Sequence, residues 1–108
     1  MEWLEPWGSA EQLDEKVRAG LERQLVLEVP PGHEMFQLPA RLIGRGNGDD
    51  ALFEIVDGSG RVAVVHLTWS KSQERLPWPV TTFYADLKAW VDTCMLPEHQ
   101  EWSSYVAR

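Results

Sequence analysis

The sequence predicts an α+β fold in which a helix, a three-stranded antiparallel meander and a second helix follow one another, with both helices packed on one sheet face. Three observations predict this order. Apolar residues recur at helical spacing towards each end of the chain, alternating apolar segments fill the middle, and an Asp57–Gly60 turn separates two of those segments. Because the chain has 108 residues, we expect a single small domain over residues 1–108.

The first helix is predicted over about residues 10–27, after an irregular segment at residues 1–8. Ser9 and Gln12 have the spacing of a capping box, in which each side chain bonds to the other residue's backbone N–H. Apolar residues then follow at intervals of four and form one helical stripe: Leu13, Val17, Leu21 and Leu25. The Pro-Pro-Gly sequence at 30–32 ends the helix.

The three strands are predicted over residues 40–45, 50–56 and 61–69. The turns between them set the register, so that Arg45 faces Asp50 and Val56 faces Arg61. One face of the sheet then collects a largely apolar set, which we expect to form the core beneath both helices: Ala40, Leu42, Phe53, Ile55, Val62, Val64 and His66.

The same register gives the opposite sheet face a mixed composition. Its members are Arg41, Ile43, Leu52, Glu54, Ala63, Val65, Leu67 and Trp69. Ile43, Leu52 and Val65 are expected to lie side by side as an apolar patch, and monomeric proteins seldom leave such a patch bare. The chain's own terminal aromatic residues, a second copy of the chain or a protein partner could each cover it.

The second helix is predicted over about residues 82–95, capped by Thr81 or Thr82 and stopped by Pro97. A polar loop at residues 70–81 precedes it. Its apolar stripe consists of Phe83, Leu87, Trp90, Val91 and Cys94. The tail at residues 98–108 is expected to be short helix or coil, folded back on the body of the protein.

Charge and composition exclude several function classes. The chain carries a formal net charge of −7, with 10 basic and 17 acidic residues. Nucleic acids and anionic membrane surfaces are bound by clusters of Lys and Arg, so we expect neither as a partner. No apolar run approaches the roughly 18 residues of a membrane span, and the N-terminus lacks the features of a signal peptide. These features predict a cytoplasmic protein.

The sequence predicts no catalytic residue, no metal site and no cofactor. His33, His66 and His99 lie in a loop, a strand and the tail, whereas metal ligands usually occur in local pairs. Cys94, on the apolar stripe of the second helix, is interpreted as a small buried hydrophobe because no base or positive charge accompanies it in the sequence.

The segment from Trp69 to Pro79 is the sharpest candidate for a binding role. It joins a buried strand to a helix, and loops on rigid scaffolds often carry binding residues. Trp69 and Trp78 are therefore predicted to contact a partner, together with the patch of Ile43, Leu52 and Val65. The competing interpretation is that Trp78, held by the prolines beside it, covers the core.

His66 is the remaining candidate, because the small residues Gly44 and Ala51 are expected to lie opposite it. They could leave a shallow pocket over the imidazole, near Trp69 and Trp90. A buried histidine with its hydrogen bonds satisfied is the alternative interpretation.

The strand from Gly58 to Ser70, with the sequence GSGRVAVVHLTWS, is followed by Pro77-Trp78-Pro79 and by an aromatic-rich helix. In these features the chain resembles a group of small uncharacterised bacterial proteins over about residues 38–102. The resemblance implies a bacterial cytosolic setting and a single domain, and it carries no activity.

Taken together, the acidic charge, the excess of tryptophan and the apolar sheet face predict a non-enzymatic protein–protein interaction module. It would either self-associate or bind a basic partner, as inhibitor and immunity proteins do. The alternative is a small-molecule-binding protein or an enzyme, with a pocket near His66, Trp69 and Trp90.

Overall fold

The computed structural model describes residues 1–106, whose strands form one antiparallel sheet in the order β1-β2-β3-β4-β5. The strands are Gly8–Ser9, Ala40–Arg45, Asp50–Ile55, Val62–His66 and Thr81–Tyr84. An α+β composition with an antiparallel sheet is thus confirmed. The three-stranded sheet is wrong, since the predicted meander corresponds to β2–β4 and a further strand pairs at each of its edges.

The two edge strands, β1 and β5, form in segments for which the sequence predicts other structures. In β1, Gly8 pairs with Arg45 and Ser9 with Gly44, so residues 1–8 are not wholly irregular. In β5, Thr81 and Thr82 pair with Val65 and Val64, so they do not cap a helix. Threonine and aromatic residues suit a pleated sheet surface better than the first turn of a helix.

Helix α1 spans Glu15–Glu28 and begins later than predicted. Its N-cap is Asp14, whose side chain accepts the N–H of Lys16. Ser9 caps only a 3₁₀ turn at Ala10–Gln12, by accepting the N–H of Glu11. The predicted capping box with Gln12 therefore does not form, because in this tighter turn Ser9 accepts the N–H of Glu11 instead of that of Gln12.

The C-terminal helix has three continuous segments: α2 at Leu87–Trp90, a π-helical turn at Val91–Met95 and α3 at Leu96–Val106. Its N-cap is Asp86, which accepts the N–H of Ala89. The predicted stop at Pro97 is wrong. The helix changes register just before this proline, where the N–H of Leu96 donates to Val91 five residues earlier. Of the predicted tail, residues 98–106 are helical and 107–108 lie outside the described residues.

The helices lie on opposite faces of the sheet, which corrects the expectation that both share one face. Leu52 and Phe53 are adjacent on the central strand and point to opposite faces. Helix α1 covers the face of Phe53, where the first core cluster is Ala10, Leu21, Leu25, Val29, Met35, Leu42, Ala51, Phe53, Ile55, Ala63, Val65 and Leu67. The C-terminal helix covers the face of Leu52, where the second cluster is Trp7, Leu52, Val62, Trp90, Cys94 and Met95.

The register between β3 and β4 differs by one residue from the predicted register. Phe53 pairs with Ala63 and Leu52 with Val64, whereas the turn was expected to bring Phe53 opposite Val64. Gly60, in the turn, adopts a left-handed conformation with φ of 80°, and the Ile55 N–H donates to Arg61 at 3.0 Å. Because side chains alternate along a strand, this slip exchanges the faces of all β4 residues.

The N-terminal tryptophans cover the face of Leu52. The Trp7 and Trp90 rings meet edge to face at 5.1 Å between centroids, and Trp3 lies 5.8 Å from Trp90. Glycine in β2 makes room for this layer, since a Cβ on Gly44 would lie 2.5 Å from the Trp3 ring. The sequence left three possible covers for this face: the chain's own terminal aromatic residues, a second copy or a protein partner. The structure shows that N-terminal aromatic residues cover it.

Candidate functional site

The connection between β4 and β5, residues 67–80, is the most distinctive part of the surface and is called the tryptophan loop below. Its two tryptophans are close to half exposed, at 44% for Trp69 and 46% for Trp78. Leu76 and Val80 in the same loop are also exposed. The loop thus presents large apolar side chains to solvent instead of folding them onto the core.

A fully buried carboxylate fixes the start of this loop. Glu28, at the end of α1, has no exposed surface. Its Oε1 accepts the backbone N–H and the hydroxyl of Thr68 at 2.8 and 2.9 Å. Its Oε2 accepts the Trp69 N–H at 2.9 Å and an amide N–H of Gln24 at 2.7 Å. A carboxylate with four donors is well compensated for the loss of water.

Further bonds tie the loop to the same helix. The Gln24 amide nitrogen also donates to the Ser70 carbonyl at 2.8 Å. The backbone N–H of Glu74 donates to the carbonyl of Glu28 at 2.9 Å. Polar contacts with α1 therefore hold the loop backbone in place, so that its exposed apolar side chains are not required to anchor it.

Trp69 has a backbone conformation that is unusual for its residue type, with φ of 59°. Residues other than glycine avoid this left-handed region because Cβ approaches the carbonyl oxygen. The indole nitrogen donates to Oδ1 of Asp49 at 2.9 Å. The side chain is thus oriented at one end of the sheet, with a carboxylate at the edge of its ring.

His66 and Asp50 form a second pair beside this one. The imidazole Nδ1 lies 2.7 Å from Oδ1 of Asp50, and the His66 side chain is 55% exposed. The hydrogen bond with Asp50 raises the pKa of His66 above its ordinary value. Contrary to the predicted face, His66 is on the Leu52 side of the sheet and is not a core histidine.

The far end of the loop is held by His33. Its Nδ1 accepts the N–H of Met35 at 2.9 Å, so Nε2 carries the proton and donates to the Pro79 carbonyl at 2.8 Å. Pro79 is buried while its neighbour Trp78 is exposed. Next to this contact is a cleft of about 510 Å³ lined by Gly32, His33, Glu34, Leu76, Pro77, Val80 and Thr81.

The structure separates the other residues proposed for partner contact. Val65 is buried beneath α1, and Leu52 is buried beneath the C-terminal helix. Ile43 is partly buried against the second core. These three residues therefore do not form a common patch, because the slipped register puts Val65 on the other face.

Trp90, proposed to share a pocket with His66, lies in the second core and is fully buried. Its aromatic contacts are with Trp3 and Trp7. His66 and Trp69 bind the adjacent residues Asp50 and Asp49, so they lie near each other. Trp90 lies apart from them, in the second core.

Cys94 and His99 have structural contacts near the N-terminus. Burial raises the pKa of the Cys94 thiol to about 11, so the nucleophilic thiolate is scarce at neutral pH. Oε1 of Glu98 lies 3.4 Å from the thiol, and its Oε2 accepts the Trp7 indole N–H at 2.7 Å. His99 donates through Nδ1 to the Glu5 carbonyl at 2.7 Å.

Sequence reasoning missed Glu28, Asp49 and Asp50 as parts of the site. A signal for Glu28 was present, because it falls three residues after Leu25 on the stripe that α1 buries. A charged residue at a buried helical position has to find partners. Its partners Thr68 and Trp69 are 40 and 41 residues away, which no local pattern shows.

Over residues 1–106, no group of three or more histidine, cysteine or acidic side chains is arranged to hold a metal ion. No helix in that part of the chain is long and apolar enough to cross a membrane. No protein-family model matches the chain, and no curated protein or solved structure matches it either.

Proposed function

We propose that this protein is a non-enzymatic binding module whose tryptophan loop docks a basic segment of a partner protein. The observation that carries the proposal is the contrast within the loop. Its backbone is clamped by the buried Glu28, yet Trp69 and Trp78 remain close to half exposed. If the two rings served only to complete the core, burial of their apolar surface would be expected, because that burial is favourable.

A fixed loop is suited to binding because its order is established before the partner arrives. Association is opposed by the loss of side-chain and loop freedom, and a preorganised surface loses less. Tryptophan is among the residues that most often dominate binding energy, since it buries a large area and keeps one donor. Trp78 is the better anchor, because the indole N–H of Trp69 is already used by Asp49.

Charge supports a basic partner. The chain carries −7, and Asp49 and Asp50 lie beside the Trp69 ring and His66. A Lys or Arg side chain could contact an aromatic face and a carboxylate together, and both contacts favour a cation. Two copies of this chain would repel each other by the same charge, which favours a different protein over self-association.

The experiment is selection of random 12-residue peptides displayed on phage against the folded full chain. We expect enrichment of peptides with Lys or Arg beside an apolar residue. Synthetic versions should bind at least about tenfold more weakly to the Trp78→Ala and Asp49→Asn variants. Their affinity should also decrease as salt rises, because exposed charge pairs are screened.

Tyr105→Ala is the matched control, because Tyr105 is an aromatic residue with 77% exposure on α3, outside the loop. Its affinity for the selected peptides should equal that of the wild type. Selection of neutral or acidic peptides, or equal loss of binding in the control, would overturn the proposal. So would a dimer in sedimentation velocity that Trp78→Ala dissociates, because the surface would then serve self-association.

A further inference from the structure

A second cleft lies away from the tryptophan loop, where the short strand β1 ends and leaves part of β2 without a partner strand. Its volume is about 490 Å³, within the range of about 300–1,000 Å³ that is typical of small-molecule sites. Its apolar wall includes Trp3, Leu42, Ile43, Val62 and Leu87. Its ionisable side chains are those of Glu11, Arg18, Arg41 and Glu54, and the N-terminal residue Met1 also lines it.

Arg18 is the unusual member of this set. Its guanidinium Nε is buried and has no hydrogen-bond partner among residues 1–106. None of the ion pairs in that part of the chain includes Arg18. Arg41, in contrast, is paired with Glu54 at 2.6 Å. A buried donor without an acceptor is costly, so a ligand that supplies the acceptor would gain that energy on binding.

The neighbouring groups define how the cleft is built. Glu22, one turn after Arg18 on α1, accepts the Leu42 N–H at 3.2 Å and so satisfies the exposed edge of β2. Trp3 forms a wall because Gly44 leaves space for its ring. The backbone edge is thus already paired at Leu42, while the guanidinium of Arg18 is left for another group.

From this arrangement we propose that the cleft binds a small amphipathic monocarboxylate, with its carboxylate on Arg18 and its apolar body against Trp3, Ile43 and Leu87. A planar guanidinium matches a carboxylate through paired N–H donors. A single negative charge fits better than a phosphate dianion, because the carboxylates of Glu11 and Glu54 line the same cleft and would repel the second charge.

The test uses sodium decanoate as the probe and decanol as its uncharged match, added to the ¹⁵N-labelled full chain. Decanoate is kept below its micelle concentration and decanol below its solubility limit. We expect decanoate to move the Arg18 Nε–H signal and the Leu42 amide signal in a saturable way. Decanol should bind at least about tenfold more weakly, since it cannot make the charged hydrogen bond. This comparison uses the wild-type protein, so it does not depend on a variant that folds.

Arg18→Met removes the charge and keeps the length of the side chain, and it should weaken decanoate binding by about tenfold or more while leaving decanol binding unchanged. Arg23→Met is the matched control, because Arg23 is exposed on the same helix, and its affinity should equal that of the wild type. Equal affinity for decanoate and decanol would overturn the proposal. So would no saturation at millimolar decanoate, or shifts confined to the tryptophan loop.

Discussion

The carboxylate of Glu28 accepts the backbone N–H of Trp69 at 2.9 Å and holds that residue in a left-handed conformation, with φ of 59°. A residue with a Cβ loses roughly 1–2 kcal/mol in this conformation. The four hydrogen bonds to Glu28 offset the strain. Helix α1 thereby determines the backbone path of a loop that lies about forty residues away in sequence.

Glu28→Gln should lower the free energy of unfolding by about 2–4 kcal/mol. The amide replaces one acceptor oxygen by a donor that faces N–H groups, and buried donors without acceptors are costly. Urea denaturation measures the loss. Glu34→Gln, on an exposed loop residue, is the control and should change stability by less than about 0.5 kcal/mol. Equal stability of the two variants would show that the carboxylate is not the clamp.

Trp69→Gly should be more stable than Trp69→Ala by about 1 kcal/mol, because glycine has no Cβ to oppose the left-handed backbone. The same pair of changes at Trp78 is the control, since Trp78 has similar exposure and no positive φ. There the order should reverse, with alanine more stable by about 0.5–1 kcal/mol. Denaturant unfolding of the four variants gives both differences, and the same order at both positions would contradict the strain at Trp69.

The pair of His66 and Asp50 should make stability depend on pH. The hydrogen bond to Asp50 raises the pKa of His66 in the folded protein, whereas the unfolded value is about 6.5. The stabilisation is therefore complete below about pH 6.5 and is lost as the pH rises through the folded pKa.

An NMR titration between about pH 5.5 and 9 should show the His66 signals titrating above 6.5 in the wild type. In Asp50→Asn the pKa should fall, because the charged acceptor is gone. The stability difference between wild type and variant should be larger at the acidic end. An unchanged His66 pKa in the variant would mean that the pair does not form in solution.

Strands β2 to β4 could be predicted because turn residues separate alternating apolar segments. The faces of the β4 residues could not be predicted, because the turn between β3 and β4, where Gly58 and Gly60 are both left-handed, allows two registers that differ by one residue. Strand β5 was hidden for another reason. Phe83, Leu87 and Trp90 are spaced at i, i+4 and i+7, which is the spacing of a helix even though Phe83 lies in a strand.

Only the exposed tryptophans of the candidate site could be predicted from the sequence. Trp69 and Trp78 could be predicted because tryptophans and prolines within a polar loop indicate a binding role from the sequence alone. Glu28 and Asp49, which position Trp69, are distant in sequence, and acidic residues are usually interpreted as solvent-exposed. The contacts that hold the loop follow from tertiary packing, which a single sequence does not show.

The two cores on opposite faces of β3 can be tested at adjacent residues. Phe53 and Leu52 are both fully buried, so each truncation to alanine should create a cavity. We expect a loss of about 3–5 kcal/mol for Phe53→Ala and about 2–5 kcal/mol for Leu52→Ala. Val56→Ala, at an exposed position beyond β3, is the control. A loss below about 1 kcal/mol at Leu52 would mean that only one sheet face is covered.

Gly44→Ala tests the layer of N-terminal tryptophans. A Cβ at this position would lie 2.5 Å from the Trp3 ring, so Trp3 has to move away from the sheet. Overpacking of this kind usually costs about 1–3 kcal/mol, and urea denaturation together with the Trp3 indole N–H signal should show both effects. Gly8→Ala is the matched control, because Gly8 pairs with Arg45, the residue after Gly44, and a Cβ at Gly8 meets no atom within 4 Å. A Gly44→Ala protein with wild-type stability and an unmoved Trp3 signal would show that the tryptophan does not close this face.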